Sequence, residues 1–482
     1  MKNIILGLLI LIVLGGVACY AKNVIGGFNM SDDLNDLTIT KIKEPSVAGT
    51  FYTDNKEALE KQISEFKKNS KNTYNYPTRA VIVPHAGLVY SGRIAYEGIS
   101  QIDKDVKTIF VFAPAHRVPF TGLALTSYDE WKTPLGTIKI NREITKELES
   151  KFGAKVNDKA LAPEHSVEIE VPIIQSVFKD VKIVPVLVGN AKPDEVYKII
   201  SHYYGDKNNA FVISSDLSHY LPDATARRVD AYTAQHIETA NAEDFTHELA
   251  CGATGILGLM QYAKDKQYSL IRIDMTNSGE TSYDKSHVVG YGTWFLYEGS
   301  RNDFIKDNYS DFILDICRKA ISDKSFTVSK TIYPQVFSEP GASFVTLEKE
   351  KRLRGCIGSI IPQRALIDDI VANARNAAFN DPRFNPVEKK EIKDLSIAVS
   401  LLSIPEKMSF KDEQDLLNQI RKDIDGIIIR DGRYQAVYLP SVWEQLPDKK
   451  EFLNSLKIKA GMSPDHFSKT FEAYRFVTSY IK

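Results

Sequence analysis

Cysteine is scarce in this chain. Its 482 residues include four, Cys19, Cys251, Cys317 and Cys356, too far apart for a CxxC motif or a disulfide framework. The clustered cysteines that an iron–sulfur centre requires are also lacking. Charge of one sign is not in excess: 61 Lys and Arg stand against 62 Asp and Glu, a net charge of −1. That balance excludes the basic face expected of a nucleic-acid binder. Low-complexity tracts and internal repeats are absent. A hydrophobic content of 43% with 26% charged residues is that of a globular protein. The chain is too long for one ordinary core, so two or three domains are expected.

One long apolar run is present, from Ile4 to Ala21, preceded by Lys2 and followed by Lys22, Asp32, Asp33 and Asp36. Its length fits a signal-peptide core or a short spanning helix. Gly16 and Ala18 put small residues ahead of a candidate cleavage site, and Ala18-Cys19 faintly resembles a lipoprotein processing site. Residues 1–22 are therefore expected to be a signal peptide or membrane anchor. Lys2 favours an N-inside orientation, making the chain membrane-anchored or exported with its body outside the cytoplasm. Residues 23–45 look like a polar linker.

From 46 to 298 the pattern is α/β. Apolar runs at Arg79–Val83, Lys107–Phe112, Val181–Val188 and Ala210–Ser214 alternate with helix-like stretches at Lys56–Lys67, Arg142–Lys151 and Ala224–Ala240. Uninterrupted apolar strands separated by helices predict a mostly parallel sheet covered on both faces. The polar segment Glu298–Asp307 is the expected boundary. A smaller α+β domain, 303–482, follows, with helices predicted at Tyr309–Ile321 and Ala365–Phe379 and strands at Ala342–Leu347, Leu395–Leu402 and Gly426–Arg430.

Four of the nine histidines follow apolar, strand-like runs in loops of small or polar residues: His85, His116, His165 and His219. In an open α/β sheet, side chains from several strands converge at the carboxyl edge, so this pattern predicts a metal or acid–base site. His85 and His116 are the best ligand candidates. Cys251, in Cys251-Gly252-Ala253-Thr254-Gly255, offers a thiol ahead of an apolar helix, whose N-terminus lowers a thiol pKa. Asp216 and His219 are an acid–base pair in a Ser-rich loop, and Glu164-His165 is a second acid–imidazole pair. His202, His236, His247, His287 and His466 are read as ordinary structural histidines. Asp216 could instead cap a helix, and Cys251 could be an inert small hydrophobe.

Taken in order, Val47-Ala48-Gly49-Thr50-Phe51-Tyr52, Pro84-His85-Ala86-Gly87, Ala113-Pro114-Ala115-His116, Glu164-His165-Ser166-Val167-Glu168, Ser214-Ser215-Asp216-Leu217-Ser218-His219 and Cys251-Gly252 resemble the signature of the MEMO family. The resemblance implies a fold like that of class III extradiol dioxygenases, which use non-haem Fe(II), and a redox metal, Fe(II) first and Cu second. It places metal ligands at His85, His116 and Cys251, and catalytic or pocket roles at Asp216 and His219, with Glu164, His165 and Arg117 in support. Arg117 stands where many members carry a second His, and would favour an anionic ligand. A cysteine in place of the dioxygenase carboxylate suits Cu(I) or thiolate-bound Fe.

In the second domain the sharpest string is Leu353-Arg354-Gly355-Cys356-Ile357-Gly358-Ser359. Arg354 places a cation beside the Cys356 thiol, and Gly355 and Gly358 permit close backbone approach. The same string also reads as a tight strand–turn with a buried Cys and an Arg paired to an acid. With Asn376–Phe384 and Tyr438-Leu439-Pro440 after it, it resembles the AMMECR family. Proteins of the two kinds accompany a radical SAM protein in the AmmeMemoRadiSam system, so the resemblance implies such a partner. Three readings stay open: a metal-dependent oxidoreductase, a non-catalytic module binding a peptide or small anion, and metal-independent hydrolysis by Cys251 with His219.

Overall fold

The computed structural model describes residues 40–482 apart from 72, 73, 75, 324 and 329–332. Its centre is a nine-stranded sheet. Four strands form the middle: β1 (Ala80–Val83), β2 (Thr108–Pro114), β3 (Lys182–Val188) and β4 (Asn209–Ser214). They lie side by side in the order β1, β4, β2, β3, all parallel. Their apolar runs are continuous because both faces are covered. Val81, Val83, Ile109, Val111, Ala210 and Val212 pack into one cluster, while Ala80, Ile82, Phe110, Phe112, Phe211 and Ile213 pack into the other. Each large side chain so buried is worth about 1.5–3 kcal/mol.

Helices α1 (Lys56–Lys68), α2 (Leu88–Ile99) and α3 (Glu170–Val177) cover the first face, and α4 (Pro193–Tyr203) and α5 (Ala253–Lys266) the second. α1 starts where the Asn55 side chain accepts from the Ala58 N–H, buries Leu59 and Ile63, and ends with Lys67 and Lys68 in its last turn. These are the cap, apolar stripe and terminal charge that favour a helix. Outside the four central strands the sheet is mixed. β5 (Ser269–Asn277) and β6 (Val288–Tyr297) pair antiparallel, β6 runs antiparallel to β1, and Leu123–Leu125 runs antiparallel to β3. The expected mostly parallel sheet is thus a parallel centre with antiparallel edges.

The polar stretch Glu298–Asp307, expected to be a boundary, is largely helical. α6 (Arg301–Ser322) begins there, capped by Ser300, and buries Phe304 and Ile305. The helix is interrupted at Tyr309, where φ is −136°. After it, a five-stranded sheet holds β7 (Pro340–Lys349), β8 (Arg352–Gly358) and β9 (Leu395–Leu402), covered by α7 (Leu366–Phe379). A four-stranded antiparallel sheet built on Gly426–Asp431 completes the chain. The two halves meet across a seam. Arg272 of β5 pairs with Glu238 at 2.9 Å and with Glu339 at 3.4 Å, and Arg301 pairs with Glu339 at 3.2 Å. Phe295, Phe304, Val336 and Phe337 share one apolar cluster there.

Among the described residues, no helix is long and apolar enough to cross a membrane. The expectation of a membrane-anchored or exported chain is corrected to this extent: the described residues supply no spanning helix. The segment 1–22 on which it rested lies outside the described residues, as does most of the 23–45 linker.

Candidate metal centre

The sheet order brings the histidines together. β1 delivers His85, its neighbour β4 delivers Ser214 and Asp216, and β2 delivers His116, so adjacent carboxyl ends converge. His165 arrives differently. No strand precedes it; it opens the short helix His165–Glu168, for which the Glu164 carboxylate is the cap. One ligand atom from each of His85, His116 and His165 lies within 4.8 Å of the others. The ring centroids stand 5.2, 5.6 and 4.7 Å apart. His85 is buried, His165 half-buried and His116 exposed. Phe51, 4.4 Å from the His165 ring, closes one side.

Glu164 organises two of the rings. Its carboxylate is fully buried and accepts from the backbone N–H groups of His116 (2.7 Å), Arg117 (3.1 Å) and His165 (3.0 Å). His116 Nδ1 stands 3.1 Å from Oε1. A carboxylate can only accept, so that nitrogen carries the proton and Nε2 keeps its lone pair. His165 Nδ1 approaches the same oxygen at 2.9 Å in a poorly aligned contact. Burial alone would raise the Glu164 carboxyl; the His116 side-chain hydrogen bond, the close His165 imidazole and the His116 backbone N–H overcome it and hold it far below the usual carboxylate range.

Cys251 lies beside this cluster. Its Sγ is 3.3 Å from His85 Nε2 and accepts from the Asp216 N–H at 3.3 Å. Gly252 makes the approach possible, since a Cβ there would fall 2.6 Å from Ser214 O. The helix N-terminus does not lower this thiol as expected. Burial, and then the Asp216 charge, push it up to about 12. Asp216 also departs from its expected role. Its Oδ1 accepts from the His85 N–H at 2.8 Å, which fixes the His85 loop. Among the described residues no hydrogen bond joins it to His219, so Asp216 does not orient that ring. Burial raises the Asp216 carboxyl, against the His85 hydrogen bond and the nearby His219. His219 is half-buried next to the exposed Tyr220, and the Arg117 side chain is exposed at the rim. His85 is pushed well below its usual range by burial and by its imidazole neighbours.

The clustered set, His85, His116 and His165, is therefore not the expected His85, His116 and Cys251. The sequence signal for His165 was the acid before it: a Glu that caps a helix start and grips a neighbouring imidazole. The remaining histidines are held locally, as in His236 Nδ1 to Asn241 O at 2.9 Å and His466 Nε2 to Asp431 at 2.6 Å.

The second-domain motif closes on itself. Arg354 pairs with Glu391 at 3.1 Å and donates to the Asn385 carbonyl at 2.9 Å. The Cys356 N–H donates to Asp381 at 2.8 Å, and its Sγ accepts from Thr346 Oγ1 at 3.3 Å. A Cβ on Gly355 would sit 2.0 Å from Ala377 O of α7, and one on Gly358 would sit 2.2 Å from the Phe344 ring. Both glycines serve close packing.

Comparison with known proteins agrees with this architecture. A family model described as Memo-like protein matches residues 43–295, and one described as AMMECR1 matches residues 314–481. A MEMO1 family protein of Aquifex aeolicus is 31% identical over 269 residues, which cover 53% of this chain and 100% of the relative. Another, of Thermoplasma acidophilum, is 34% identical over 263 residues, covering 52% of this chain and 97% of the relative. A crystal structure of an uncharacterized protein from Pyrococcus horikoshii is 29% identical, covers 36% of this chain and 89% of its own, and superposes with a TM-score of 0.34. The chain thus belongs to the Memo-like family and carries an AMMECR1 domain after its Memo-like domain.

Proposed function

We propose that the Memo-like domain binds a transition metal through His85, His116 and His165, with Cys251 at the edge of the ligand set, and that it acts as a metal-dependent oxidoreductase. The observation that carries this reading is the convergence of three imidazole ligand atoms within 4.8 Å, two of the rings resting on one buried carboxylate. Carboxylate-anchored imidazoles are the arrangement that presents Nε2 lone pairs to a cation. Imidazoles with a soft sulfur neighbour suit Fe or Cu better than a hard oxygen-liganded ion. Such a metal would supply redox or Lewis-acid chemistry. The chain's own residues hold the site in shape: Glu164 grips the His116 loop, Asp216 the His85 loop, and Phe51 covers His165. His219, half-buried beside Tyr220, would be the group that moves a proton. A dioxygenase-like ancestry and a radical SAM partner belong to the same proposal and rest on family resemblance.

The test is metal analysis of the purified protein beside His85→Ala, His116→Ala and Cys251→Ser. Near-stoichiometric Fe or Cu, lost in both histidine variants, is the expected outcome. Retention in Cys251→Ser would leave the thiol outside the ligand set. A protein that holds no metal and refuses added Fe(II) and Cu(I) would sink the reading and leave a non-catalytic binding module. Hydrolysis by a Cys251 thiolate is disfavoured, because burial and the Asp216 charge push the thiol away from its ionised, nucleophilic form.

A further inference from the structure

Behind His85 lies a group that the proposed site does not use. Glu170, in the first turn of α3, is fully buried. Its Oε1 is 2.8 Å from Ser214 Oγ, and its Oε2 has no hydrogen-bond partner among the described residues. Ser214 Oγ makes two further contacts: 2.8 Å to His85 Nδ1 and 3.0 Å to the Ser166 carbonyl oxygen.

Counting hydrogens decides what these contacts are. A serine hydroxyl donates once and accepts twice. The Ser166 carbonyl can only accept, so if all three contacts are hydrogen bonds the single Ser214 proton goes to it. The other two contacts are then hydrogen bonds only if both partners donate, which requires a proton on His85 Nδ1 and one on the Glu170 carboxyl. The far end of the chain agrees. With Nδ1 protonated, His85 Nε2 has a lone pair, and the Cys251 thiol 3.3 Å away has a proton to give it. The bare Oε2 agrees as well: leaving one oxygen of a buried carboxylate unpartnered is far more costly than leaving a neutral acid's carbonyl oxygen so.

We infer that Glu170 is a positioning residue for His85: as a neutral carboxylic acid it donates to Ser214 and thereby keeps the His85 proton on Nδ1, with the Nε2 lone pair facing Cys251. Burial raises the Glu170 carboxyl well above its usual range, which is consistent with the hydrogen count. The tautomer stands independently of any metal; its use, presenting Nε2 to a cation, rests on the proposed function. A glutamine at 170 can still donate to Ser214. A methionine of similar length cannot, and Ser214 is then free to donate to His85 Nδ1 instead.

The experiment is nitrogen NMR of histidine-labelled, metal-stripped protein at neutral pH, with His85 assigned by His85→Gln, together with infrared difference spectra of wild type against Glu170→Gln. The expected result is a neutral His85 protonated on Nδ1 in both proteins, a mixture of tautomers in Glu170→Met, and a protonated-acid carbonyl band that Glu170→Gln abolishes. Metal binding by Glu170→Met should weaken by about 10- to 100-fold, the usual effect of losing an outer partner of a ligand histidine. An Nε2-protonated His85 in wild type, or an ionised Glu170 at neutral pH, would overturn the inference. These wild-type readings decide the matter even if Glu170→Met fails to fold. Failure of the wild type to take up Fe(II) or Cu(I), read separately, counts against the proposed function and not against the tautomer.

Discussion

The Pro84–Gly87 loop and the Leu353–Gly358 strand look alike as strings, each setting one reactive side chain among small residues, but they differ in what they leave unsatisfied. In the second, Arg354 is spent on Glu391 and backbone carbonyls, Asp381 on the Cys356 N–H, and both glycines on packing. In the first, the backbone of His85 is tied down by Asp216 while its ring turns Nε2 toward Cys251 and two other imidazoles. Small residues around a strand end admit a ligand only when they do not already admit a neighbouring helix. The more conspicuous string is thus the structural one.

The largest expected break in this contrast comes from Glu164→Ala. It strips the buried acceptor from four backbone N–H groups and from the imidazoles beside it, so stability should fall by about 3–5 kcal/mol in urea denaturation, with metal uptake abolished. Gly355→Ala should do the reverse. Its added Cβ drives into Ala377 O, costing about 1–3 kcal/mol or more, while metal content stays at the wild-type level.

pH sharpens the comparison within the site itself. Glu164 has a depressed pKa in the folded protein, so its contribution is fully present above the unfolded value of about 4.3. It is lost as pH falls below that, and Glu164→Gln should flatten this acid limb in a stability–pH series. Burial raises the Glu170 pKa, so its contribution is present below about 4.3 and is lost as pH rises from there toward the folded-state value. Glu170→Gln should therefore gain on wild type as pH is raised above about 5. The smallest effect is expected from Cys356→Ser, which keeps an acceptor for Thr346. Stability should change by less than about 1 kcal/mol, and metal analysis should show no change.

Much of the fold was legible because continuous apolar runs have few uses. The four runs predicted as strands became β1 to β4 within a residue or two, and Leu395–Leu402 appeared as drawn. What escaped were elements whose residues alternate or are short, such as β5, in which Arg272, Asp274 and Thr276 interrupt the apolar pattern. The start of α6 was hidden by its polar surface, since only Phe304 and Ile305 betray the buried side. Within the site, His85 and His116 could be read from their strands, because direction along a strand is local. The ligand position of His165 could not: it depends on a carboxylate folding back over His116 from a distant turn. Likewise, the helix after Cys251 promised an acidic thiol, but desolvation is a property of the packed interior and outweighs it.

The seam of Arg272, Glu238, Glu339 and Arg301 has a consequence for how the molecule comes apart. Separating the halves would expose Phe304 and Phe337 to water and part Arg272 from Glu339. The two halves are then expected to melt together. Scanning calorimetry of residues 40–482 should show one endotherm for both, so that an injury confined to Gly355 is felt as a lower denaturation temperature at His85.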